Sequence, residues 1–186
     1  MRKSAPYRIL GIDPGTNLLG YAILEVNGRL LAPKELGVVR MTHLDTHQEK
    51  LKTIFNRLQT LIDVHQPGSM AIEAPFFGKN VQAMLKLGRA QGVAIAAGMT
   101  KELEVTEYAP RKIKQSVTGK GNASKEQVRA MLEQILKFPL HDHYLDATDA
   151  LATALCHHYQ SGSPLAKTKR YSGWDAFLAD NPKRRG

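Results

Sequence analysis

The sequence predicts an α/β fold: a mixed five-stranded sheet, three antiparallel strands followed by two parallel ones, flanked by helices. Two patterns carry this. Between residues 8 and 41, short runs of β-branched and apolar residues succeed one another with only turn signals between them. From Thr46 onward the apolar spacing lengthens to three and four, and short apolar runs then alternate with helical stretches, an order that makes neighbouring strands parallel.

Taken in order, RILGID (8–13) and LGYAILEV (19–26) read as a hairpin around PGTNL, and LLAPKELGVVRM (30–41) follows the Asn27-Gly28 turn as a third antiparallel strand. Pro33 cannot donate to a ladder, so the start of that strand belongs at an edge or a bulge. Leu51, Ile54, Phe55, Leu58, Leu61 and Ile62 mark an amphipathic helix over 46–65, stopped by Pro67 and Gly68. SMAIEAP (69–75) is a short buried strand. Residues 79–99 form a second helix. Its Gly88, Ala90, Gly92, Ala94, Ala96 and Ala97 admit close approach, by the sheet or by a second subunit. LEVTEY (103–108) is the last strand, and helices follow over 124–137, capped by Ser124, and over 143–159. In the last of these, Leu145, Ala152 and Leu155 are expected to pack on the sheet. The folded domain is thus placed at 7–160. Residues 161–186, rich in Gly, Ser, Pro and Lys, are read as a basic, flexible tail in which Trp174, Phe177 and Leu178 can dock as a short amphipathic turn.

A chain of 186 residues is long enough for one domain with a sizeable core. It has no apolar window near the ~20 residues of a membrane span and no signal-peptide stretch, so a cytoplasmic protein without a membrane partner is expected. Cys156 is the single cysteine, which excludes an internal disulfide and suits a reducing compartment. Net charge is +9, unevenly spread. Residues 160–186 carry +4, and within 110–129 six basic residues face only Glu126. Such segments suit a surface that follows phosphates, or a solvated face kept for solubility.

Against this basic background four acids stand out. Asp13 ends the first strand, Glu73 ends the fourth, and Asp146 and Asp149, three apart, share a face of the last helix. Each has a plain alternative: Asp13 as a turn former before Pro14-Gly15, Glu73 as a partnered buried acid, Asp146 and Asp149 as solvated residues near a helix N-terminus. Brought together, four carboxylates would repel unless a cation compensates them. A hard divalent ion fits oxygen ligands, whereas no Cys or paired-His spacing suits zinc. His141 and His143 flank Asp142 in what reads as a cap or loop. Two such ions about 4 Å apart can activate water and stabilise the leaving oxygen of a phosphodiester.

GIDPGTNLLGYAIL, MAIEAPFFGKN, MLKLGRAQGVAIAAG, YAPRKIKQSVTGKGNASKEQV and DATDALATAL resemble, in this order, motifs of the RuvC Holliday-junction resolvases, over about residues 8–160. The resemblance implies a ribonuclease H-like fold acting as a homodimer. It further implies Mg²⁺-dependent paired incision of a four-way DNA junction in recombination and repair, leaving 5′-phosphate and 3′-hydroxyl ends. Two Mg²⁺ per subunit are implied, with Mn²⁺ as a substitute. The family's acidic tetrad matches Asp13, Glu73, Asp146 and Asp149, and its active-site lysines match Lys114 and Lys125. Its aromatic residue matches Phe76, with Phe77 as the neighbouring choice, in contact with an unpaired base. Arg111, Lys112 and Lys120 of the basic stretch are expected to contact DNA. By the same resemblance helix 79–99 becomes the dimer interface, and a branch-migration motor of the RuvA and RuvB type becomes a partner. A YqgF-type nuclease of the same fold fits the GNASK loop and the DATDA pair less well. Actin-like ATPases need a longer chain and a second glycine-rich loop. A junction binder that does not cut gains nothing from four acids near phosphates.

Overall fold

Tyr7–Asp13 (β1), Leu18–Asn27 (β2) and Leu30–Arg40 (β3) form an antiparallel meander in the computed structural model, which describes residues 5–75, 80–140 and 145–161. Gly28, at φ +62°, makes the tight turn between β2 and β3. β3 is an edge strand, and its register slips beside Pro33. Ile23 faces Glu35 while Leu24 faces Pro33, so Lys34 is the extra residue of a bulge, where a missing amide costs no ladder bond.

His47–His65 (α1) begins at a capping box in which Thr46 and Glu49 each bond the other's backbone N–H, and it stops at Gln66 in the left-handed conformation. Ser69–Glu73 (β4) then lies parallel to β1, Val81–Met99 (α2) crosses back, and Glu104–Tyr108 (β5) pairs parallel to β4. The resulting order is β3-β2-β1-β4-β5, a mixed sheet with three antiparallel strands at one side and two parallel pairings at the other. Three helices complete the described chain: Pro110–Thr118 (α3), Lys125–Leu136 (α4) and Leu145–Ser161 (α5). Ser124 caps α4, in a box with Gln127. None of the helices among the described residues is long and apolar enough to cross a membrane.

Strand alternation divides the core between the two faces. Leu10, Ile12, Ile23, Met70 and Ile72 pack with α1 and α2, whereas Ile9, Ala22, Leu24 and Ala71 pack with α3, α4 and α5. α5 is enclosed almost all round from Ala147 to His157, the thiol of Cys156 included. Its seating corrects one expectation: Leu155 is fully buried, but Leu145 is 42% exposed and Ala152, though buried, faces the cleft described below rather than the sheet alone. Leu145 opens the helix, where the Asp146 backbone rather than an apolar side chain meets the sheet at Gly20.

α5 sits unusually close to the strands. A Cβ on Gly11 of β1 would come 2.1 Å from the Ala150 carbonyl oxygen, and one on Gly20 of β2 would come 2.0 Å from that of Asp146. Glycine at both places allows backbone to lie on backbone.

Candidate metal centre and nuclease cleft

Because β1 and β4 run parallel, their last residues, Asp13 and Glu73, emerge at the same end of the sheet. Gly20 pairs with Asp13 across the β1–β2 ladder, and the first turn of α5 rests on Gly20. Asp146 is thereby delivered beside Asp13, with Asp149 one turn further on. Carboxylate oxygens of Asp13, Asp146 and Asp149 all lie within 4.8 Å of one another. Glu73 stands outside that group of three but shares a cleft of about 330 Å³ with Asp13, Asp149, Lys114 and Lys125. Pro110, Ile113, Val128 and Ala152 give the cleft its apolar wall.

The charges are strongly coupled. Burial, then the carboxylates of Glu73, Asp149 and Asp146, push the Asp13 carboxyl up to about 8, against an opposing pull from Lys125. Burial and Asp149 push Glu73 up to about 7, with Lys125 and Lys114 opposing. Lys125 Nζ donates to Asp149 Oδ2 at 2.5 Å. Burial works against its charge, but that bond and the carboxylates of Asp149, Asp13 and Asp146 outweigh it and hold the ammonium above its ordinary range. Such a cluster is short of positive charge. Its donors are carboxylate oxygens, with no thiolate or imidazole among the three that converge, so the residues fit a hard divalent cation.

Lys114 and Lys125 reach the cleft from different helices, α3 and the first turn of α4. Arg111 and Lys112 are exposed on α3, and Lys120 is exposed on the loop that follows. Arg111 lies across Gly121, where a Cβ would meet its Cγ at 2.5 Å, and so ties the start of α3 to the approach to α4. Phe76 and Phe77 fall outside the described residues, as do His141, Asp142, His143 and the segment bearing Trp174, Phe177 and Leu178. The four acids singled out in the sequence and the two lysines carried by the resemblance do converge here, whereas Gly11 and Gly20, which set the height of α5, were not singled out. A signal was present, since Gly20 sits in the register opposite Asp13 once the hairpin is drawn.

A sheet of this topology, with acids at the ends of its parallel strands and on its last helix, is a ribonuclease H-like arrangement. Comparison with known proteins agrees. The family model described as crossover junction endodeoxyribonuclease RuvC matches residues 9–157. A protein of that name from Cytophaga hutchinsonii is 54% identical over 176 residues, covering 95% of this chain and 86% of its own length. Another from Porphyromonas gingivalis is 50% identical over 180 residues, covering 95% of each. Among solved structures, Thermus thermophilus RuvC in complex with a Holliday junction substrate superposes with a TM-score of 0.78 at 28% identity, covering 83% of this chain and 94% of that one. The yeast mitochondrial resolvase Ydc2, at 13% identity and a TM-score of 0.62 over 81% of this chain and 77% of its own, shares the fold. The chain belongs to the RuvC family of crossover junction endodeoxyribonucleases.

Proposed function

We propose that this protein resolves four-way DNA junctions in recombination and repair, by paired hydrolysis of phosphodiester bonds that leaves 5′-phosphate and 3′-hydroxyl nicks. The observation that carries the reading is the convergence of Asp13, Asp146 and Asp149 within 4.8 Å, beside Glu73 and two lysines, in a chain of net charge +9. Asp13, Glu73, Asp146 and Asp149 would hold Mg²⁺, two ions per subunit, with Mn²⁺ able to substitute. The ions supply activation of water and charge stabilisation at the phosphate. The chain's own residues supply the rest. Partial burial of Asp13 and Glu73 reduces the screening of the site by bulk water. Lys125, bonded to Asp149, and Lys114 across the cleft bind the scissile phosphate and offset the charge that develops on it. Arg111, Lys112 and Lys120 bind the backbone beside it, and Phe76 or Phe77 contacts an unpaired base at the crossover.

Two symmetric nicks need two centres, and the surface of α2 supports a homodimer. Leu85, Gly88, Gly92, Ala96 and Met99 form an exposed stripe at spacings of three and four, with Leu85 52% and Met99 63% exposed. Nothing lies within 4 Å of a Cβ placed on Gly88 or Gly92, so a second helix has room to approach. Family membership also supports docking of a branch-migration complex of the RuvA and RuvB type and action in the cytoplasm. One gel tests the reading: labelled four-way junction, linear duplex and RNA–DNA hybrid, each with Mg²⁺ or with chelator. Paired nicks in the junction alone, abolished by chelator, are expected. Equal cutting of all three would make this a general nuclease, and binding without cutting would make it a junction binder.

A further inference from the structure

A second cleft, of about 360 Å³, opens where the β1–β2 turn meets the first turns of α1 and α2, lined by Asn17, His47, Lys50, Asn80 and Lys86 together with Asp45. Positive charge collects there. Burial, and then Arg89, Lys86 and Lys50, hold the His47 imidazole below its ordinary range, in the neutral form. Among the described residues none of these three cations pairs with a carboxylate. Lys50 Nζ donates instead to the amide oxygen of Asn17, at 2.8 Å, while Glu49, the acid next to it on α1, is held by the Thr46 cap. Among the described residues His47 Nε2 is buried with no hydrogen-bond partner, and native structures leave few such atoms unpaired. Cations that pair with no carboxylate, Asp45 included, around an unsatisfied ring nitrogen are the chemistry of a site for an anion with several acceptor oxygens.

We propose that this cleft binds a backbone phosphate of the DNA substrate other than the one being cut. The proposal rests on the reading of the chain as a junction resolvase. Placement supports it. Thr16 and Asn17, on the cleft, follow Asp13 by three and four residues in the turn that leaves β1, so cleft and acids share one end of the sheet. Lys50, anchored on Asn17, fixes a cation of α1 to that turn. A duplex arm lying across the acids continues past the turn, where Lys50 and Lys86 neutralise a phosphate and its oxygens offer His47 an acceptor. Asp45, the carboxylate in the lining, limits the site to one phosphate group.

The test uses the full chain carrying Lys50→Gln and Lys86→Gln, with junction affinity measured by fluorescence anisotropy in chelator over a range of salt. The slope of log affinity against log salt should become shallower by about one, the change for one lost phosphate contact. A single neutral methylphosphonate, moved along the strand, should weaken the unsubstituted protein at one non-scissile position and have no further effect there on the double variant. Lys50→Arg with Lys86→Arg, which keeps both charges, should restore the slope. An unchanged slope, or methylphosphonate effects that add independently at every position, would overturn the proposal. So would an arginine variant whose slope stays shallow, because the loss would then lie in packing. Failure of the unsubstituted chain to bind junctions would instead overturn the proposed function, so the two failures are distinct.

Discussion

The carboxyl of Asp13 titrates at about 8, far above the ordinary 3.8, because burial and three neighbouring acids oppose its charge. Between those two values the folded chain holds a proton that the unfolded chain has lost. The Asp13 contribution to the stability of the metal-free protein therefore falls as pH rises from about 4 to 8, while the lowered imidazoles of His47, His157 and His158 act in the opposite sense. A divalent cation removes the penalty, but at the acid end it must displace protons first. Melting curves should show a larger rise in Tm on adding Mg²⁺ at pH 8 than at pH 6, and Asp13→Asn should lose most of that rise and flatten the pH slope. The same substitution should slow junction cleavage about a hundredfold or more while leaving junction affinity in chelator near its original value, since no basic residue changes. Cutting at the unsubstituted rate would remove Asp13 from the centre. Lys125→Ala separates two roles in another way. Its cleavage rate at saturating protein should drop by about 10²–10³-fold, well beyond its loss of affinity at low salt. Equal losses in both would make Lys125 a phosphate anchor alone.

Among the elements, α5 governs the geometry, since it brings two of the four acids and rests on β1 and β2 through glycine contacts. Gly20→Ala puts a methyl group 2.0 Å from the Asp146 carbonyl oxygen and must lift the first turn of α5. A loss of about 1–3 kcal/mol in stability is expected, together with a smaller Mg²⁺-induced rise in Tm than the unsubstituted protein shows. If the melting point falls but the Mg²⁺ response is intact, the glycine sets packing and not the acids. Gly20 also marks where reading the sequence reached its limit. Strands, α1, α2, α4 and α5 were legible because each carries its own apolar period, and Asp13 and Glu73 because a carboxylate ending an apolar run is conspicuous. α3 was not. Its nine residues bury only Ile113 and Val117, too few to declare a period, although Pro110 at its first position is a helix-start signal. That helix carries Lys114, so the lysine's position in the cleft came from the resemblance alone. Close approaches such as those at Gly11 and Gly20 are tertiary facts, legible only once the partner helix is known to lie there.

For the whole molecule, the stripe on α2 makes opposite predictions for the single chain and for the assembly. Gly92→Lys meets nothing within the chain, and replacing a helical glycine favours the helix by up to about 1 kcal/mol. The same side chain would place a charge in the proposed subunit contact. Sedimentation at micromolar concentration should show a dimer for the unsubstituted protein and a shift to monomer for Gly92→Lys, with the melting point of the monomer held or raised. A monomer in both cases would dismiss α2 as the contact.

The seating of α5 on β1 and β2 also orders events in time. A chain emerging from the ribosome presents Asp13 first and Glu73 later, and it can build all five strands before Asp146 and Asp149 exist. The first two strands must wait for the final helix to cover them, a contact that spans nearly the whole sequence and closes late. A nascent or truncated chain that stops short of α5 thus keeps the basic stretch around α3 but has only two of the four acids.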